Sequence, residues 1–302
     1  MSIPPVVPAA TEPGTDPVPG GWFRRSAVAH PILLLVGVAT AFVWLTQMGS
    51  ALAGVDLMPA KLAELLVLVG LAVAITRITD QRRGVRQLFA GLLRWRLGWH
   101  YLLLVGAMPL LTAGVALATG TLHRPADGWA GVGLTYLIFL ALGAITGNLL
   151  EETVWGGFVQ GRLMARHGLL VGSLLTAVPV FLIHLPLAFD NNGWQGTTWQ
   201  DAFITWGVLL VAAPFQRYLI GTLLIDTRGS TLAAGLMHAS INAAGAMVIV
   251  PGGWQVVPAL ILLTLGVVAY RSWRGRSAVD GYSPAITPAS EAAQQTALGM
   301  MP

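Results

Sequence analysis

Asn148-Leu-Leu-Glu-Glu-Thr-Val-Trp-Gly-Gly-Phe158 decides how this chain reads. About twenty mostly apolar residues, running from Trp129, lead into the adjacent carboxylates Glu151 and Glu152, enough to cross the ~30 Å hydrocarbon core of a bilayer. A charge in the middle of such a helix is costly, so it usually faces a protein interior and serves a function. If the helix ended near Leu150, the pair would sit at the membrane interface. The apolar pattern instead continues through Val154, Trp155, Phe158, Val159, Leu163 and Met164, and the first cations are Arg162 and Arg166. The carboxylates therefore lie about 16 Å short of the charged end.

Composition extends this reading to the whole chain. Of 302 residues, 55% are hydrophobic and 10% charged, with a mean hydropathy of +0.70. Soluble domains carry about 25% charged residues, so the expected fold class is all-α, a polytopic membrane helical bundle. Net charge is +4, and all the cations but Lys61 are arginine. They cluster between apolar segments as topology determinants do, so no nucleic-acid-binding face is needed to explain them. The absence of cysteine excludes disulfides, thiolate metal ligands and cysteine nucleophiles.

Eight apolar runs are long enough to span: Pro31–Gly49, Met58–Thr76, Trp99–Gly120, Gly131–Leu150 (continuing to about Met164), Leu169–Phe189, Ala202–Leu224, Ser230–Val250 and Trp254–Tyr270. The membrane domain covers 30–276, with a core of about 130–250. Residues 1–29 and 277–302 read as disordered tails rich in Pro and Ala. Arg24, Arg25, the arginines at 77–96, Arg162, Arg166, Arg228 and those at 271–276 fall on one side of the spans; only Lys61 and Arg124 fall on the other. Both termini are therefore expected in the cytoplasm, and the localisation expected is a prokaryotic cell membrane. Arg82–Leu97 reads as an amphipathic helix on the inner leaflet.

Three more polar signals lie inside spans: His184, and the pair His238 and Asn242, which are four apart and share a helix face. Counted from the cytoplasmic ends, Glu151, His184 and His238 lie at about 16, 22 and 15 Å. Three helices thus bring ionisable groups toward one layer. A carboxylate and an imidazole can hold a water and take its proton, and an amide with a second imidazole can donate to a developing oxyanion. Glu151, His184 and His238 could instead hold a divalent metal such as zinc, although no His-Glu-x-x-His signature is present.

These motifs resemble the CAAX prenyl protease and bacteriocin-processing (CPBP) intramembrane proteases, whose pattern is Glu-Glu-x-x-x-Arg, Phe-x-x-x-His and His-x-x-x-Asn on three membrane helices. Glu151-Glu152, His184 and His238…Asn242 match in order, and Gly-Phe-Val-Gln-Gly-Arg at 157–162 resembles the continuation of the first motif. The resemblance covers roughly 130–250. It implies that Glu151 and His184 activate water, that His238 and Asn242 stabilise the oxyanion and that Glu152 supports them, with a metal or without one. Two positions depart from the pattern: Gly156 replaces the arginine and Val180 the phenylalanine. The lost arginine would have faced Glu152 one turn on. Arg217, in the sixth span, either replaces it or snorkels to the interface.

The leading functional expectation is an intramembrane endopeptidase acting near the cytoplasmic side of the bilayer on a membrane-associated protein or peptide. The alternatives are a catalytically impaired partner or immunity-type protein, suggested by Gly156, and a proton-coupled transporter, for which no internal repeat is visible.

Overall fold

The computed structural model describes residues 21–275 apart from Arg96, Asp127 and Asn191. Among the described residues there are twelve α-helices and no strand. In chain order they are α1 (Trp22–Ala29), α2 (Pro31–Ala53), α3 (Met58–Thr79), α4 (Gln81–Ala90), α5 (Trp99–Ala118), α6 (Gly128–Gly143), α7 (Leu149–Glu152), α8 (Gly161–His184), α9 (Gly193–Gly196), α10 (Trp199–Asp226), α11 (Thr231–Gly245) and α12 (Val256–Trp273). The chain is a multi-pass membrane protein built as an all-α bundle. The tails expected at 1–29 and 277–302 fall largely outside the described residues. Where the first is described it is helical, because α1 begins ahead of residue 30.

Six helical segments are long and apolar enough to cross a membrane, against the eight expected. Two features account for the difference. The expected fourth and fifth spans form one helical run, Gly128–Phe189. It turns sharply at Gly168, whose φ of 75° and ψ of 175° suit glycine alone. The turn is tight enough that a Cβ on Gly172 would lie 2.6 Å from the backbone of Met164. The expected seventh span is α11, which has only 15 residues and is buried along most of its length. The inner-leaflet helix expected over 82–97 is α4 alone. It stops at Ala90, where the chain meets the connection between α10 and α11 and Leu232 donates its N–H to Gly91 O at 3.4 Å.

Side-chain contacts sort the connections into two sets separated by the lengths of the helices. In one set Arg162 pairs with Asp80 at 3.1 Å, Arg94 with the carbonyl of Arg228, and Arg271 with Asp226 at 2.6 Å. In the other Lys61 pairs with Asp190, Gln255 donates to Thr121 Oγ1 at 3.0 Å, and His123 N–H donates to Ile249 O at 3.0 Å. Arg162 is thus no headgroup cation, as its position in the sequence suggested. It is buried, lies over the ring of Phe158 at 3.9 Å, and ties α8 to the end of α3.

Small residues let the central helices approach closely, as packing inside a membrane requires. At Gly235 of α11 a Cβ would lie 2.9 Å from Leu149 Cα and 3.1 Å from Asn148 O. α11 therefore rests on the backbone of the Glu151–Glu152 turn, which places His238 beside the carboxylates. Gly235→Ala should cost about 1–3 kcal/mol through overpacking, seen as a lower unfolding temperature in detergent. Gly207→Ala, with open space around the added methyl, should leave that temperature unchanged.

Candidate functional site

The backbone around the two carboxylates departs from regular α-helix. Ala144–Asn148 and Thr153–Gln160 are wound as π-helix on either side of α7. Such widened turns are rare and occur frequently at functional sites. Glycines and small residues populate both segments, and they carry Glu151 and Glu152 into the middle of the bundle.

Glu152 is fully buried. A lone carboxylate in that position would be expensive, and Arg217 of α10, 1% exposed, meets it. The guanidinium donates to both oxygens, from Nη1 to Oε2 at 3.1 Å and from Nη2 to Oε1. This paired geometry suits arginine and carboxylate specifically. Gln160 steadies the arginine's backbone by donating from Nε2 to Arg217 O at 2.6 Å and to Ser173 Oγ at 3.0 Å. Of the two readings of Arg217, pairing is the one realised; it does not snorkel.

Gly156 fits the same arrangement. A Cβ there would lie 2.9 Å from Glu152 Oε2 and 3.4 Å from Leu224. The carboxylate leans over the space a side chain would occupy and reaches across to α10. Gly156 beside Glu152 and Arg217 on a neighbouring helix are parts of a single arrangement.

His238 lies with Nδ1 2.9 Å from Glu152 Oε1 and 3.8 Å from Glu151 Oε2. A carboxylate held by a guanidinium can only accept, so the hydrogen sits on Nδ1 of His238 and Nε2 is left for other partners. His184 resolves in the same way. Its Nδ1 is 2.6 Å from the carbonyl oxygen of Val180, so Nδ1 donates and Nε2 of the neutral ring accepts. Asn148 Nδ2 donates to Glu151 Oε2 at 3.4 Å, and Asn242 Nδ2 donates to Asn148 Oδ1 at the same distance.

Glu151, His184, His238 and Asn242 all line one cavity of about 290 Å³. Glu152 does not; it stands behind, holding His238. The cavity wall also includes Gln47 of α2 and Lys61 and Glu64 of α3. It therefore extends toward the Lys61–Asp190 end of the bundle, and not toward the arginine-rich end where cleavage was expected.

Glu151, His184 and His238, the ligand set considered from the sequence, all line this cavity. Among the described residues no three His, Asp or Glu side chains converge as metal ligands. Nδ1 of His238 is engaged by Glu152 and Nδ1 of His184 by a backbone carbonyl, so Nε2 is the nitrogen each ring has left for a further partner.

Sequence reasoning missed Asn148 as a member of the site, and it missed Glu64 and Gln47. Glu64 is a further carboxylate inside an apolar run, the same signal that singled out Glu151.

The family model described as Type II CAAX prenyl endopeptidase Rce1-like matches residues 133–244. That range holds all five of Glu151, Glu152, His184, His238 and Asn242, and the match is consistent with the CPBP resemblance. No curated protein matches the chain.

Removing one partner of a buried ion pair strands the other. Arg217→Leu should therefore destabilise the protein by about 3–5 kcal/mol, read from its unfolding transition in detergent. Gly156→Arg placed in the Arg217→Leu background should recover part of that loss, because it returns a guanidinium to Glu152 from its own helix. Gly156→Arg in the wild-type background should destabilise instead.

Proposed function

We propose that this protein is an intramembrane endopeptidase that hydrolyses a peptide bond with water activated by Glu151 and His184. The observation that carries the reading is the meeting of Glu151, His184, His238 and Asn242, from three separate helical segments, around one cavity inside an apolar bundle. The family match supports the reaction class.

The chemistry follows from the hydrogen-bond roles. A water between Glu151 and the free Nε2 of His184 loses a proton as its oxygen attacks the scissile carbonyl carbon. The C–O bond forms while the carbonyl π pair moves to oxygen. Asn242 has a second amide N–H to donate to that oxyanion, and protonated His238 can donate from Nε2. The C–N bond then breaks, and the amine nitrogen takes the proton held by Glu151. Glu152 acts through His238, fixing its ring, while Arg217 holds the Glu152 carboxylate in place.

The impaired-partner reading rested on Gly156. Arg217 pairs with Glu152 in place of an arginine at position 156, which supports the catalytic reading over that one. The substrate class is a membrane-associated protein or peptide that reaches the cavity from within the bilayer. We further propose eight passes with both termini on the cytoplasmic face of a prokaryotic membrane, as the arginine distribution suggests.

Glu151→Gln in purified protein in proteoliposomes should lower peptide cleavage by about 10²–10⁴-fold with an unchanged unfolding temperature. Undiminished cleavage by the folded variant would remove Glu151 from the chemistry. Orientation has a separate check, since the chain has no native cysteine. In intact cells an impermeant thiol reagent should label Val55→Cys and spare Arg83→Cys.

A further inference from the structure

The side of the cavity away from His238 has a composition that water activation does not require. Glu64 of α3 lines it, and its only hydrogen bond among the described residues comes from Gln47 Nε2, at 2.7 Å to Oε2. Gln47 of α2 also lines the cavity and is 1% exposed. Because its amide nitrogen serves Glu64, its Oε1 faces the interior with no donor. The one ammonium on this wall, that of Lys61, is taken by Asp190. With Glu151 on the same cavity, two carboxylates line it and the amide of Gln47 is committed to one of them. In a low-dielectric interior an unpaired charged carboxylate is costly, and a cationic donor removes that cost.

We propose that Glu64 and Gln47 form a substrate subsite that takes a basic side chain, lysine or arginine, of the peptide presented to Glu151. The inference rests on the endopeptidase reading above and narrows its substrate class. Glu64 contributes the charge to an incoming ammonium or guanidinium, and Gln47 holds the Glu64 carboxylate in place through its Nε2. The subsite lies on the Lys61–Asp190 side of the reactive groups, so the basic residue sits on that side of the scissile bond. A purely structural role, with Gln47 and Glu64 pinning α2 to α3, would leave no preference between substrates.

The test uses the full chain in proteoliposomes and three series of membrane-inserted quenched-fluorescent peptides. The series carry Lys, Ala or Glu in turn at each position flanking the scissile bond. Wild-type kcat/KM should favour the Lys peptide over the Ala peptide by at least tenfold at one position. Glu64→Gln, which can keep a hydrogen bond to Gln47, should erase that preference, lowering kcat/KM for the Lys peptide at least tenfold more than for the Ala peptide. Glu64→Lys should turn the preference toward the Glu peptide. An equal fall for all peptides in Glu64→Gln, or no wild-type preference, overturns the subsite. Binding of the same peptides with the scissile amide reduced, followed by fluorescence anisotropy, separates this inference from the endopeptidase reading. Tenfold tighter binding of the Lys analogue that Glu64→Gln abolishes, with no cleavage of any peptide, sustains the subsite and overturns the peptidase. Cleavage without that binding difference does the reverse.

Discussion

A buried carboxylate in a membrane bundle must be neutralised or the helices around it will not close, and here the burden falls on Glu152 and Arg217. Neither side chain has measurable access to solvent or lipid beyond 1%. The desolvation cost of such a pair is large, and only good geometry with further hydrogen bonds offsets it. The surroundings supply both. The guanidinium meets the carboxylate through two nitrogens, His238 adds a third donor, and Gln160 holds the arginine's backbone. Gly156 leaves the carboxylate room to lean toward α10.

That pair fixes more than stability. Because Glu152 can only accept, the hydrogen of His238 is held at Nδ1, and the ring is fixed with Nε2 free. His184 is oriented in the same sense by the carbonyl of Val180. The position where the motif departs from phenylalanine thus contributes through its backbone, which the side-chain change leaves intact. Two imidazoles with defined hydrogen positions, a carboxylate and an amide then share one cavity without either ring being free to turn. Preorganisation of this kind lets a site stabilise developing charge without rearranging.

The π-helical segments and the small residues of α11 are the means by which the backbone allows this. A regular helix would pass the carboxylates at α-helical spacing. The widened turns beside α7 shift their direction, and Gly235 lets α11 settle directly on Asn148 and Leu149. Outside this centre the bundle is tied at both ends by ion pairs between connections, Arg162 with Asp80 at one end and Lys61 with Asp190 at the other.

The membrane class, the apolar runs and the gathering of Glu151, His184, His238 and Asn242 could be read from residue order, because burying a charge in hydrocarbon is so costly that each intramembrane polar residue announces itself. Only the backbone shows that Gly168 joins two of the apolar runs into one turning helical run and that α11 is 15 residues long and wrapped by protein. The partner of Glu152 was open in the same way, since residues 152 and 217 lie far apart in sequence and only helix packing brings them together. Glu64 and Gln47 joined the cavity for that reason too, one from α3 and one from α2. Local patterns carry the cost of exposing or burying each side chain, whereas the choice of neighbour belongs to distant segments that meet only after the chain has closed.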